Sequence, residues 1–130
     1  MERKLVTLKM VDAITPIEGA DKIECAHIGG WAVVVGKGEF SVGQTVFYFE
    51  VDSLLPLENK IFTFLEPRGV TTQNGIKYHR LKTAKLRGQV SQGLIMPFEI
   101  INEIESDPGK QIELCKQIDD DYGGDYSSIF

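Results

Sequence analysis

An all-β fold class is predicted by three features of this 130-residue sequence. Runs rich in β-branched and aromatic residues recur between turn signals, the pair Gly29-Gly30 joins two such runs as a tight hairpin, and one short helical period interrupts the series. Length suits a single domain, and 42% hydrophobic with 25% charged residues describes an ordinary globular chain.

Taken in order, residues 4–11 set Leu5, Leu8 and Met10 among polar neighbours and suit a first strand. IECAHI at 23–28 and WAVVV at 31–35 form the hairpin, because glycine accepts the positive φ that two-residue turns require. GKGEFSVGQ is a turn, and TVFYFEV at 45–51 is a strand whose two faces differ little. Val46 and Tyr48 point one way and Phe47, Phe49 and Val51 the other, so this strand is either sandwiched or carries an exposed aromatic face. Beyond Pro56 the period changes. Leu57, Ile61, Phe64 and Leu65 fall at i, i+4, i+7 and i+8, which predicts a short amphipathic helix in LENKIFTFLE, ended by Pro67 and Gly69. A strand from Ile76 to Leu86 follows, and its Leu81 and Leu86, five apart, cannot share a face without a bulge. Gly88 to Gly93 reads as a loop and GLIMPF as a final strand. In 99–130, SDPG marks a turn, QIELCKQI a possible short helix, and DDDYGGDYSS a stretch polar enough for a disordered end or linker.

Strand, hairpin, strand, helix, strand, strand is the order of a five-stranded OB-fold, a Greek-key barrel with a short helix between strands 3 and 4. An SH3-like barrel or a β-sandwich explains the helix position less well. Residues 1–98 are thus expected to form an OB-fold nucleic-acid-binding domain, and 99–130 an acidic C-terminal extension or linker.

Charge is polarised along the chain. Residues 1–66 hold 6 Lys/Arg against 10 Asp/Glu, residues 67–98 hold 6 against none, and residues 99–130 hold 2 against 9, for a net charge of −5. Salt screens fields beyond roughly 8 to 10 Å, so a local basic cluster acts even in an acidic chain. OB-folds hold oligonucleotides across strands 2 and 3 and against the loops joining strands 1 to 2 and 4 to 5. The acid-free segment is expected on strand 4 and the loop before strand 5. Candidate nucleic-acid-binding residues are therefore Lys77, Arg80, Lys82, Lys85, Arg87 and Gln89, with Trp31, Tyr48 and Tyr78 as stacking platforms. The same residues have plainer roles available: a basic strand protects an edge from pairing, and Trp31 suits a barrel core.

Catalytic and metal-binding signatures are missing. Cys25 and Cys115 form no Cys-x-x-Cys pair and read as free thiols, and His27 and His79 stand alone. Gln89-Val90-Ser91-Gln92-Gly93 lacks the first glycine of a nucleophile elbow, and Gly36-Lys37-Gly38 lacks the rest of a phosphate-binding loop. No apolar run reaches the roughly 18 residues of a membrane span, and MERKLVTLKMVD lacks the apolar core of a secretion signal, so no membrane partner and a cytoplasmic location are expected.

The runs IEGADKIECAHIGGWAVVVGKGEF, VGQTVFYFEVDSLLP and RLKTAKLRGQVSQGLIMP resemble the N-terminal OB domain of ATP-dependent RNA ligases of the Deinococcus and Naegleria type, over about residues 3–98. The resemblance implies a domain that precedes a nucleotidyltransferase domain and helps engage the nicked or broken RNA ends being joined, with that partner domain in cis or in trans. It also implies ATP and magnesium for a full-length ligase, whose nucleophile is the lysine of a Lys-x-Asp-Gly motif. This chain departs from that pattern, since Lys37 leads GEF, Lys110 leads QIE and Lys116 leads QID. No catalysis or cofactor is expected of this chain alone; the expected role is that of an RNA-binding accessory domain. Two alternatives stay open. PIEGADKIECAHI is also similar to the start of tRNA-binding OB domains attached to aminoacyl-tRNA synthetases, and the basic strand could instead dock an acidic protein surface.

Overall fold

The computed structural model describes residues 4–130; residues 1–3, the first of the expected domain, lie outside the described residues. The first strand, expected over residues 4–11, is β1 (Val6–Met10), and past a bend the chain continues as a strand not expected, β2 (Ala13–Pro16). At the bend the Val11 amide donates to Gln44 O (2.9 Å) and the Asp12 amide to His27 O (2.8 Å), so the backbone changes partners there without leaving a donor unpaired. β1 pairs antiparallel with β5 (Thr45–Phe49), from Val6 opposite Phe49 to Met10 opposite Thr45. β2 pairs with β3 (Ile23–Ile28), and β3 with β4 (Trp31–Gly36). Gly29 and Gly30 close that hairpin at φ 52° and 89°, as the sequence predicts.

A long excursion follows β5 before the chain returns to it. β6 (Leu54–Pro56), β7 (Thr71–Gln73) and β8 (Ile76–Arg80) make a small sheet in the order β6-β8-β7. β9 (Ala84–Leu86) and β10 (Gln89–Ser91) form a hairpin, and β11 (Leu94–Pro97) returns to the free edge of β5, Leu94 opposite Phe49. β10 lies along β4: the Gln92 amide donates to Ala32 O (2.8 Å) and the Val34 amide to Ser91 Oγ (2.9 Å).

Three local expectations are corrected. Residues 57–66 form no α-helix; after β6 come turns, including one in which Asn59 Oδ1 accepts the Ile61 amide (3.1 Å), and then a 3₁₀ helix over Thr63–Arg68. Leu57, Ile61 and Leu65 are buried, but a 3₁₀ turn sets successive residues about 120° apart, so Phe64 turns outward and is 49% exposed. In chain order the helix lies where the sequence places it, after β5 and before β8, while between β4 and β5 the chain makes only the turn at 37–44. The strand expected over Ile76–Leu86 is two strands. The break at 81–83 lets Leu81 exchange hydrogen bonds with Asp52 and Ser53 (2.7 and 3.0 Å) and bury its side chain, while Leu86 stays 44% exposed. The Gly88–Gly93 loop is a two-residue turn, Arg87-Gly88 at φ 52° and 81°, followed by β10.

β5 is sandwiched. Val46 and Tyr48 pack with Val11, Ala26, Ile28, Val33, Val35, Phe40 and Ile95, the inner core between the sheets. Phe47 and Phe49 face a second core built by Leu55, Leu57, Ile61, Phe62, Leu65 and Leu81 of the excursion and by Ile101, Ile118 and Tyr126 of the C-terminal segment. That segment is ordered: a 3₁₀ turn at Phe98–Glu103, then α1 (Pro108–Asp121), capped by Asp107 Oδ1 accepting the Gly109 amide (2.9 Å). The Tyr126 amide donates to Val6 O (2.8 Å), and the Phe130 ring lies 5.1 Å from Phe47, 5.3 Å from Phe49 and 5.9 Å from Phe62. The polar composition of DDDYGGDYSS suggests a disordered end; two aromatics and the need to cover Phe47 and Phe49 override it.

Candidate nucleic-acid interface

A cleft of about 890 Å³ separates the β4 and β10–β11 surface from the excursion that follows β5. Val33, Val34 and Val35 line the cleft on the β4 side; Val34, half-buried, points to the face opposite Val33 and Val35, which belong to the inner core. The 3₁₀ helix brings Phe64 and Arg68 to the opposite wall, and the end of β8 with the break after it brings His79, Arg80 and Lys82. The lining contains one carboxylate, Glu39, whose Oε2 already accepts the Gly36 amide (2.8 Å). His79 Nδ1 lies 2.9 Å from Gly69 O; a carbonyl only accepts, so Nδ1 carries the proton and ties β8 to the end of the 3₁₀ helix. Arg80 Nε is 3.4 Å from Asp52 Oδ1, with both side chains about half exposed (53% and 52%), which orients the guanidinium for little net energy. A cationic cleft with an apolar floor suits a polyanion that also presents flat apolar faces.

The profile of an OB-fold domain family matches residues 5–98. This chain belongs to that OB-fold family. Among solved structures the OB domain is similar to Naegleria gruberi RNA ligase. A mutant apo form is 42% identical with a TM-score of 0.72, over 85% of this chain and 33% of that one. A mutant with ATP and Mn gives 42% and 0.71 over 84% and 33%, and a form with PPi gives 42% and 0.71 over 85% and 34%. The chain spans about a third of the length of the ligase structures it matches. No curated protein matches it.

The OB domain brings only part of the predicted residue set together. Arg80 and Lys82 line the cleft. Lys85, Arg87 and Gln89 sit on the β9–β10 hairpin, Lys85 and Arg87 exposed and Gln89 half-buried, its Nε2 donating to Val90 O (3.0 Å). Lys77 is exposed on β8 opposite Thr72, and Tyr78 is half-buried between Pro56 and Thr71. Trp31, at the start of β4, is 40% exposed and stacks on Tyr48 with ring centroids 6.1 Å apart. Tyr48 itself is a correction. At 2% exposure its ring belongs to the inner core and its hydroxyl donates to Gln92 O (2.8 Å), so no face is open to a base.

Phe64, Arg68 and His79 line the cleft without having been singled out. Arg68 was within reach of sequence reading, since it opens the acid-free run of 67–98. Phe64 was hidden because a helical period assigns it to a buried stripe. Among the described residues no cluster of three or more His, Cys, Asp or Glu could hold a metal ion, and no helix is long and apolar enough to cross a membrane.

Proposed function

We propose that this chain is the RNA-binding OB domain of an ATP-dependent RNA ligase and contributes binding rather than catalysis. One observation carries the reading: Arg68, Arg80 and Lys82 converge on a cleft against β4, in a domain 42% identical to part of an RNA ligase. With the bent runs β1–β2 and β10–β11 each counted once, the pairings read as a five-stranded Greek-key barrel. β4 is then the third strand and residues 50–88 the loop between the fourth and fifth, which is where this fold engages oligonucleotides. The cations act by neutralising phosphates and releasing counterions, which favours any RNA end whatever its sequence. The RNA partner is a nicked or broken strand, and the two-thirds of the ligase that this chain does not span supports a nucleotidyltransferase domain in cis, reached through the extension at 99–130.

ATP and the divalent metal of such a ligase do not fit the residues present here. The chain has no Lys-x-Asp-Gly lysine, and no carboxylate cluster for a metal occurs among the described residues. Both belong to the nucleotidyltransferase domain in this reading. A second reading draws on the hairpin, where Leu86 and Val90 are 44% and 40% exposed beside Lys85 and Arg87: this arm docks an acidic protein surface.

The test is the combined change of Arg80, Lys82, Lys85 and Arg87 to Ala. The protein should keep its circular dichroism and melting temperature, bind RNA at least about tenfold more weakly at low salt, and lose roughly 0.7 in the salt slope per single-strand phosphate contact removed. Unchanged affinity and slope would defeat the RNA reading, and loss of binding only to the nucleotidyltransferase domain would favour docking.

A further inference from the structure

We infer that Asp52 is a positioning residue: its carboxylate holds the Arg80 guanidinium by Nε and leaves the two Nη groups for a phosphate in the cleft. This rests on the RNA-binding reading and adds to it a residue of the wrong sign for an anion site. The turn at 50–53 carries two local penalties. Asp52 sits at φ 74°, left-handed backbone that glycine adopts with least strain, and Ser53, 3% exposed, has a hydroxyl with no hydrogen-bond partner among the described residues. Aspartate tolerates such a backbone when its carboxylate bonds an amide of its own turn. Here it does not. Among the described residues the carboxylate has one partner, Arg80, with Nε 3.4 Å from Oδ1. Glycine would relieve the backbone, so what aspartate adds at this position is its reach to Arg80.

The frame around the contact is fixed. The Asp52 amide donates to Leu81 O (2.7 Å) and the Leu81 amide to Ser53 O (3.0 Å), so the turn is bonded in both directions to the residue that follows Arg80. Leu81 is buried, while Arg80 and Lys82 on either side of it line the cleft. Carboxylate and guanidinium therefore spring from backbones that cannot drift apart. A guanidinium donates from Nε and from both Nη groups in one planar fork. With Nε engaged, the edge formed by the two Nη groups can still take two phosphate oxygens at once, and its rotamers are restricted before RNA arrives. A half-exposed ion pair adds little to stability, so the value of this one lies in binding. Arg87, exposed on the β9–β10 hairpin, has no such partner among the described residues.

Charge alone and positioning predict opposite signs. A carboxylate beside a phosphate site repels RNA, so removing one that does nothing for Arg80 should tighten binding. Against a labelled nicked RNA duplex at low salt, Asp52→Gly should instead weaken binding by about 3- to 10-fold, with a melting temperature near that of wild type because glycine suits the backbone. Asp52→Asn, which offers Nε an oxygen acceptor in the same conformation, should restore at least wild-type affinity. In an Arg80→Ala background Asp52→Gly should cause no further loss, because the group it positions is gone. Equal or tighter binding by Asp52→Gly, or the same loss with and without the Arg80 side chain, overturns the inference; if the four-residue charge variant is still weakened, RNA binding stands. No RNA binding by wild type removes both. Should Asp52→Gly fail to fold, ¹⁵N relaxation of the wild-type protein without RNA decides: the Arg80 Nε–H should be ordered and that of Arg87 mobile, and equal mobility overturns the inference.

Discussion

Trp31 and Tyr48 are close in space and opposite in role. Strand alternation places Tyr48 with Val46 against the inner core, whereas Trp31 begins β4 at the rim, where half a ring rests on Tyr48 and the rest meets water. Periodicity gives a residue's face and not its depth within the sheet, so both fit a platform by sequence. Tyr126 shows burial acting on chemistry. Burial pushes its phenol above the ordinary value of 10.0, and Cys115 and then Asp119, whose Oδ1 is 3.4 Å from the hydroxyl, add to the shift. Burial likewise raises the Cys25 thiol from 9.0, with hydrogen bonds from the Val33 backbone and Thr15 opposing it. Below those values both folded and unfolded chains hold the protons and stability is complete; as pH rises past them only the unfolded chain releases its protons, so stability falls. Urea titrations from pH 7 to 11 should show a midpoint that drops above about pH 9, with a smaller drop in Tyr126→Phe.

At the scale of elements, β5 is the hinge of the architecture, because its near-equal faces require cover on both sides and the excursion and C-terminal segment supply it. Where β10 passes into β11, Gly93 adopts φ 89°, and a Cβ there would lie 2.5 Å from Phe49 O and 2.7 Å from the Tyr48 hydroxyl oxygen. Gly93→Ala should therefore cost about 3 kcal/mol, from left-handed backbone strain plus overpacking, read as a lowered urea midpoint at unchanged slope. A substitution within 0.5 kcal/mol of wild type would show that the strand bends with more freedom than these contacts allow. The β3–β4 hairpin was legible from Gly29-Gly30 because its signal is local. The division of Ile76–Leu86 was not: the mismatch between Leu81 and Leu86 flagged a defect, but the remedy, a break with hydrogen bonds to Asp52 and Ser53, depends on a segment nearly thirty residues away.

The whole molecule is one structure whose C-terminal segment completes the core. Tyr126 and Phe130 pack on Phe47 from the side opposite the inner core, and Phe130 also reaches Phe62 of the excursion that walls the cleft. Phe130→Ala should lower stability by about 2 kcal/mol, less than the 3–5 kcal/mol of a fully buried phenylalanine because this ring is half-buried. A chain ending at Phe98 should expose Phe47 and Phe49 and aggregate or melt well below the full chain; equal melting temperatures would show that the segment covers nothing the domain needs.

Sequence by itself determined the all-β class, the hairpin, the near-equal apolar faces of β5 and the concentration of cations in 67–98, since each follows from alternation, turn chemistry or charge within a few residues. Tertiary structure alone decided which strand neighbours which, that the polar C-terminal end is pinned by two aromatics, and that Arg68, Arg80 and Lys82 line a cleft with Phe64 while Lys85 and Arg87, on the β9–β10 hairpin, do not. The physical reason is that pairing and burial are settled by the summed need of distant segments to cover each other's apolar faces, a quantity that no local window contains.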